Sequence, residues 1–146
     1  MVRRSTAQDK RTEAILGELD SLEFDEARDR FYDHLKTTLS LPCEVTGIED
    51  FGWEEFYVLG PGDKDEYNHL KKTKPSYTDR YELLDIDKEL ESEWMMFWED
   101  DIAARVKRIS DGKEFLLGLS ELIAIDRKSD NYQLLDDYSV WLVNSR

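Results

Sequence analysis

Apolar residues recur at spacings of three and four through Phe24, Ala27, Phe31, Leu35 and Leu39, which predicts an amphipathic helix with one buried face. Asp20 with Glu23 resembles a capping box ahead of it. Asp25 and Glu26 in its first turn suit the positive end of the helix dipole. A weaker helical start covers 13–20, with Ile15, Leu16 and Leu19 on one side. Pro42 stops the helical pattern, and 43–48 has the β-branched content of a strand, with Gly47 marking its end or a bulge. Gly52 and Gly60-Pro61-Gly62 then bracket an aromatic, acidic stretch over 53–59. Asp63 is placed to cap a short helix carrying Tyr67 and Leu70, and Pro75 ends whatever contains Lys71-Lys72-Thr73-Lys74.

The second half of the chain is richer in β pattern. Residues 80–86 read as a strand with Tyr81, Leu83 and Asp85 on one face and Glu82, Leu84 and Ile86 on the other. The strongest strand signal is 102–109, followed by Asp111-Gly112 as a hairpin turn and 115–119 as the return strand. Residues 122–125 supply a further strand. Leu134, Leu135, Tyr138, Trp141 and Leu142 recur at helical spacing, predicting a C-terminal helix that ends near Val143. Helix, then sheet, then helix gives an α+β fold: a small curved antiparallel β-sheet or partial barrel with N-terminal and C-terminal helices. Residues 1–12 lack apolar periodicity and are expected to form a mobile basic N-terminal tail, with 13–146 as a single acidic α+β domain.

Composition sharpens this. The 146 residues carry 34 Asp and Glu against 20 Lys and Arg, a formal net charge of −14, yet 40% are hydrophobic and 12% aromatic. That apolar content excludes a disordered acidic tail. The charge argues against direct nucleic-acid binding, which draws its affinity from Lys and Arg replacing counterions. The windows 41–70 and 81–101 hold −15 between them and leave the rest at +1, so the acidity is local. Like charges 4 Å apart repel by about 1 kcal/mol in water and about 4 kcal/mol at an effective dielectric of 20, so something should compensate them. The basic block at 71–74 is an internal candidate; a bound cation or a basic protein partner is an external one. One cysteine, Cys43, excludes an intrachain disulfide and multi-cysteine zinc sites. No apolar run is long enough to span a bilayer and no secretory signal follows Met1, so a cytoplasmic chain with no membrane partner is expected.

Enzyme signatures are missing: there is no dinucleotide or phosphate-loop glycine pattern, no His-Glu-x-x-His and no nucleophile elbow. His34 and His69 read as surface histidines, Cys43 as a small buried hydrophobe, and Glu89, Glu91 and Glu93 as a solvated connector. Trp53, Trp94, Phe97, Trp98 and Trp141 read as core or rim rather than as a ligand platform. A hydrolase working with two carboxylates would need a defined pair, and no spacing marks one.

What remains is oxygen chemistry. Ca²⁺ takes about six to eight oxygen ligands from a flexible cage, which loop carboxylates can supply. Four clusters qualify on charge: Glu49-Asp50, Glu54-Glu55, Asp63-Lys64-Asp65-Glu66 and Glu99-Asp100-Asp101. No EF-hand is present: Asp63-x-Asp65-x-Tyr67 has Asn68, and Asp85-x-Asp87-x-Glu89 has Leu90, where the sharp-turn glycine is needed.

Two runs are more specific. Leu41-Pro42-Cys43-Glu44-Val45-Thr46-Gly47-Ile48-Glu49-Asp50-Phe51-Gly52-Trp53-Glu54-Glu55 and Lys71-Lys72-Thr73-Lys74-Pro75-Ser76-Tyr77-Thr78-Asp79-Arg80-Tyr81-Glu82-Leu83-Leu84 resemble the CcbP-type calcium-binding family, as do 105–122 and 132–146. The resemblance implies a non-enzymatic, cytosolic Ca²⁺ buffer or sensor without EF-hands. It carries Glu49, Asp50, Glu54 and Glu55 over as motif positions; Asp63, Asp65, Glu99, Asp100 and Asp101 join them as metal candidates on charge alone. The competing reading is an acidic interaction module, an inhibitor or nucleic-acid mimic that masks a basic protein surface.

Overall fold

The computed structural model describes residues 6–17 and 22–146. Five strands form one open antiparallel sheet: β1 (Cys43–Gly47), β2 (Arg80–Asp87), β3 (Ala103–Arg108), β4 (Glu114–Gly118) and β5 (Leu122–Ala124), in the order β4-β3-β2-β1-β5. Helices α1 (Thr6–Leu16), α2 (Phe24–Thr38) and α5 (Asp130–Ser145) pack with it, while α3 (Glu55–Val58) and α4 (Lys64–Leu70) lie in the β1–β2 connection. The fold is therefore α+β with helices at both ends, as the alternation of patterns predicts. Among the described residues, no helix is long and apolar enough to cross a membrane.

The α2 stripe works as its spacing requires: Ala27, Phe31 and Leu35 are buried against the sheet and α5. Phe31 meets Tyr138 edge-on at 5.5 Å and Trp141 at 5.2 Å between ring centroids, and Phe24 stacks on Trp141 at 5.4 Å. Of the other aromatics read as core or rim, Trp53, Trp94 and Phe97 are half-buried and Trp98 is exposed. The capping-box residue Asp20 lies outside the described residues; the N-cap is Glu23, and no side chain caps the helix there.

Two expectations need correction. The first helix runs Thr6–Leu16, not 13–20, so most of the stretch read as a tail is helical; 18–20 lie outside the described residues. Its sequence is mostly polar; Leu16 is buried in the core with Ile15 packed beside it, and polar contacts tie the rest of the helix to α5. Arg11 grips the buried Asp137 through Nε at 2.8 Å and Nη2 at 3.0 Å, and Gln8 donates to Asp136 and Asp137. In β2, Ile86 is buried with Tyr81 and Leu83, and Asp85 is exposed. A bulge between Leu83 and Asp85 inserts one residue and shifts the two-residue alternation onto the opposite phase. Residues 53–59 fold as a 3-10 turn (Gly52–Glu54) running into α3.

The hairpin between β3 and β4 turns at Gly112, whose φ of +76° L side chains rarely adopt. Ser129 caps α5: its hydroxyl accepts from the Tyr132 amide at 3.2 Å and donates to the Asp126 carbonyl at 2.6 Å. Ser129→Ala should cost about 1 kcal/mol, read as a fall of roughly 2–4 °C in melting temperature. An unchanged melting temperature would show that the cap carries no weight.

Candidate metal centre

The acidic clusters do not act as clusters, because neighbouring carboxylates are sent to different places. Glu54, fully buried at the end of the 3-10 turn, is enclosed by donors. Its Oε2 accepts from Tyr67 at 2.5 Å and Ser76 at 2.7 Å, and its Oε1 from the amides of Tyr77 at 2.8 Å and Phe51 at 3.2 Å. Each oxygen thus has two donors, and Glu54 ties the turn to 76–77. Its neighbour Glu55 is exposed on α3. Asp63 caps α4 by accepting from the Glu66 amide at 3.0 Å, and Asp65 faces solvent.

The cluster at 99–101 divides in the same way. Asp100 pairs with Arg146 at 3.4 Å, Glu99 is exposed, and the carbonyls of both accept from Arg28. Asp101, 2% exposed, points inward ahead of β3. Its Oδ1 accepts from the Ile102 amide at 2.8 Å and Tyr138 at 2.7 Å, and its Oδ2 from the Ser120 hydroxyl at 2.6 Å. All of these donors are neutral. Burial outweighs them and pushes the carboxyl up to about 6. The Tyr138 phenol rises as well, through its own burial and the adjacent carboxylate.

One residue beyond Ser120 lies Glu121, at the end of the 3-10 turn Leu119–Glu121 that leads into β5. Its Oε2 accepts from the Met96 amide at 3.1 Å, while its Oε1 is buried with no hydrogen-bond partner. Burial first, then the fields of Asp101 and Glu49, raise this carboxyl to about 7. Glu49 arrives on the turn after β1, where the Ile48 amide donates to the Glu121 carbonyl at 2.9 Å. A Cβ on Gly118 would lie 2.5 Å from Glu121 Oε2 and 2.6 Å from Asp101 Oδ2, so any larger residue there would have to push the two carboxylates aside. Among the described residues, no cationic side chain pairs with Glu49, Asp101 or Glu121.

The structure thus brings Glu49 and Asp101 of the expected residues into one field, together with Glu121, which the sequence reading passed over. Glu121 is a lone acid in an apolar run, and a search for clustered carboxylates does not select it. The signal was present as an acid flanked by Leu119 and Leu122, two strongly buried leucines. Asp50 is half-buried in the same turn as Glu49; Glu49 itself, Glu55, Asp63, Asp65 and Glu99 are exposed. Among the described residues, no three His, Cys, Asp or Glu side chains converge as a ready-made metal cage. What the fold assembles is two buried carboxyls, Asp101 and Glu121, within the field of the exposed Glu49, with one acceptor oxygen of Glu121 left without a partner.

The basic block, the internal candidate for compensating the acidic windows, places Lys71 and Lys74 over aromatic rings. Lys71 lies over the Tyr67 ring at 4.8 Å and Lys74 over Trp53 at 5.4 Å. Among the described residues, neither pairs with a carboxylate.

No protein-family model matches the chain, and no curated protein matches it. Two solved structures share its fold. The crystal structure of Anabaena CcbP matches with a TM-score of 0.59 and 20% identity over 97% of this chain and 93% of that one. A calcium binding protein in the calcium-binding form matches with a TM-score of 0.60 and 19% identity over 99% of this chain and 97% of that one.

Proposed function

We propose that this chain is a non-enzymatic Ca²⁺-binding protein whose principal charged ligands are Glu121 and Glu49, with Asp50 beside them. The observation that carries the reading is the buried Oε1 of Glu121, which has no hydrogen-bond partner, on a carboxyl raised by its burial and by the fields of Asp101 and Glu49; among the described residues no cationic side chain pairs with it. Burying like charges costs free energy that a divalent cation would recover. An all-oxygen donor set suits a hard ion, and backbone carbonyls and water can complete the shell that the side chains leave unfilled. Asp101, saturated by neutral donors, contributes field rather than a free ligand oxygen. Glu54, with both oxygens enclosed, acts as a strut. The calcium binding described for a protein of the same fold supports the ion's identity.

Titration calorimetry of the metal-free chain at physiological salt tests this. Saturable Ca²⁺ binding with Kd of about 10⁻⁵ M or tighter is expected, weakened at least tenfold in Glu121→Gln and in Glu49→Gln. No heat below millimolar Ca²⁺ would overturn the reading. Following the titration by tryptophan fluorescence separates a sensor, in which Trp94 and Trp98 beside Met96 respond, from a buffer, in which they do not.

A further inference from the structure

In the middle of the first acidic window, a few residues beyond Glu49, the chain presents apolar side chains to water. Phe56 is 55% exposed, Val58 39% and Leu59 74%. Phe56 and Leu59, three apart on α3 and its C-cap, line a groove with Gly52, Glu55 and Gly60. This knob is held rigidly. The Gly62 amide donates back to the Phe56 carbonyl at 3.1 Å. A Cβ on Gly60 would lie 2.7 Å from that carbonyl, and one on Gly62 would lie 2.4 Å from the Tyr57 ring. Beneath it Phe56 meets Tyr57 edge-on, and Tyr57 stacks on Tyr67 at 5.4 Å. Pre-organised exposed aromatic and aliphatic anchors are what interface hot spots are built from.

The sequence around the groove is strongly anionic: 49–66 contains seven carboxylates and one lysine. Among the described residues, none of Glu49, Asp50, Glu55, Asp63, Asp65 and Glu66 is ion-paired. We propose that the α3 tip is a docking surface for a basic amphipathic segment of a protein partner, with apolar anchors entering the Phe56–Leu59 groove and Lys or Arg meeting Glu55, Asp63 and Asp65. Charge complementarity selects this occupant: a second copy, an anionic membrane or a nucleic acid would each bring negative charge against negative charge. The surface operates without metal.

The test uses the full chain in chelator, so that it stands apart from Ca²⁺ binding. Fluorescence anisotropy is read with a labelled Leu/Lys peptide whose leucines recur at helical spacing, and with a peptide of the same composition whose leucines are scattered. The patterned peptide should bind at least tenfold more tightly, and the double variant F56S/L59S should lose at least tenfold. Leu59→Lys, at the most exposed position, should do the same with little risk to folding. Equal affinity for the two peptides, or unchanged binding by Leu59→Lys, would overturn the proposal by reducing the effect to diffuse charge. So would a concentration-dependent dimer of the parent chain that F56S/L59S abolishes, since that assigns the groove to a second copy.

Discussion

Arg108→Met should lower the stability of the chain by about 3–5 kcal/mol, the cost of removing one partner from a buried, hydrogen-bonded ionic network. Arg108 ends β3 and is 2% exposed. Its Nη1 donates to the carbonyls of Lys71 and Lys74 and to Asp79 Oδ2, and its Nη2 to the Lys72 carbonyl and Asp111 Oδ2. Nε reaches Asp111 Oδ1 at 3.1 Å, which makes the pairing bidentate and holds that carboxyl down to about 2. Methionine fills much of the same volume but deprives three carbonyls and two aspartates, Asp79 and Asp111, of the donors Arg108 supplies. Arg108→Lys keeps the charge yet has one nitrogen in place of a planar fork, so it should recover only part of the loss. Urea unfolding gives the difference, and amide exchange should show 71–79 opening first. A loss under about 1 kcal/mol in Arg108→Met would mean that water replaces the guanidinium.

Arg108 also shows why one part of the site was not legible in the sequence. Lys71-Lys72-Thr73-Lys74 reads as stored positive charge, but what the fold uses is its backbone. Three carbonyls accept from Arg108, and beyond Pro75 the same segment returns Ser76 and Tyr77 to Glu54. Charge counting sees side chains and cannot see carbonyls. The elements with strong periodicity, α2, β3 and α5, were legible because burial of one face dictates them. The part of α1 ahead of Ile15 and Leu16 was not, because it is held by an ion pair with a residue 126 positions away, nor was the phase of β2 beyond Leu83, because a bulge leaves no mark on residue type. Glu121 escaped for a related reason. Its importance comes from burial and from an empty acceptor, both of which tertiary packing creates.

The metal-free chain should lose stability as pH rises from about 4 to about 8, and Ca²⁺ should reverse the trend. Asp101 and Glu121 hold their protons more tightly folded than unfolded, with folded values of about 6 and about 7. Between the ordinary carboxylate range near pH 4 and those values, the folded state therefore binds more protons than the unfolded one. That stabilisation is complete below the unfolded values and is gone once pH has passed the folded ones. For Glu121 it amounts to about 2 kcal/mol after allowance for the water that reaches part of the side chain, or roughly 4–8 °C in melting temperature. The carboxylates with lowered values act elsewhere: Asp111 and Asp85, held down by Arg108 and Lys36, contribute stability that is lost only as pH falls below the ordinary carboxylate range. Ca²⁺ binds the ionised carboxylates, so its stabilisation should grow through the same window, reaching about 2.7 kcal/mol at one hundred times Kd. Glu121→Gln separates the two effects. Lacking the titrating group, the metal-free variant should match or exceed its parent at pH 8 and converge with it near pH 5, while gaining little from Ca²⁺. A parent melting temperature that stays flat from pH 5 to 8 in chelator would remove the buried negative field from the argument. A variant weakened equally at every pH would make Glu121 a packing residue, because only a charge costs more as its proton leaves.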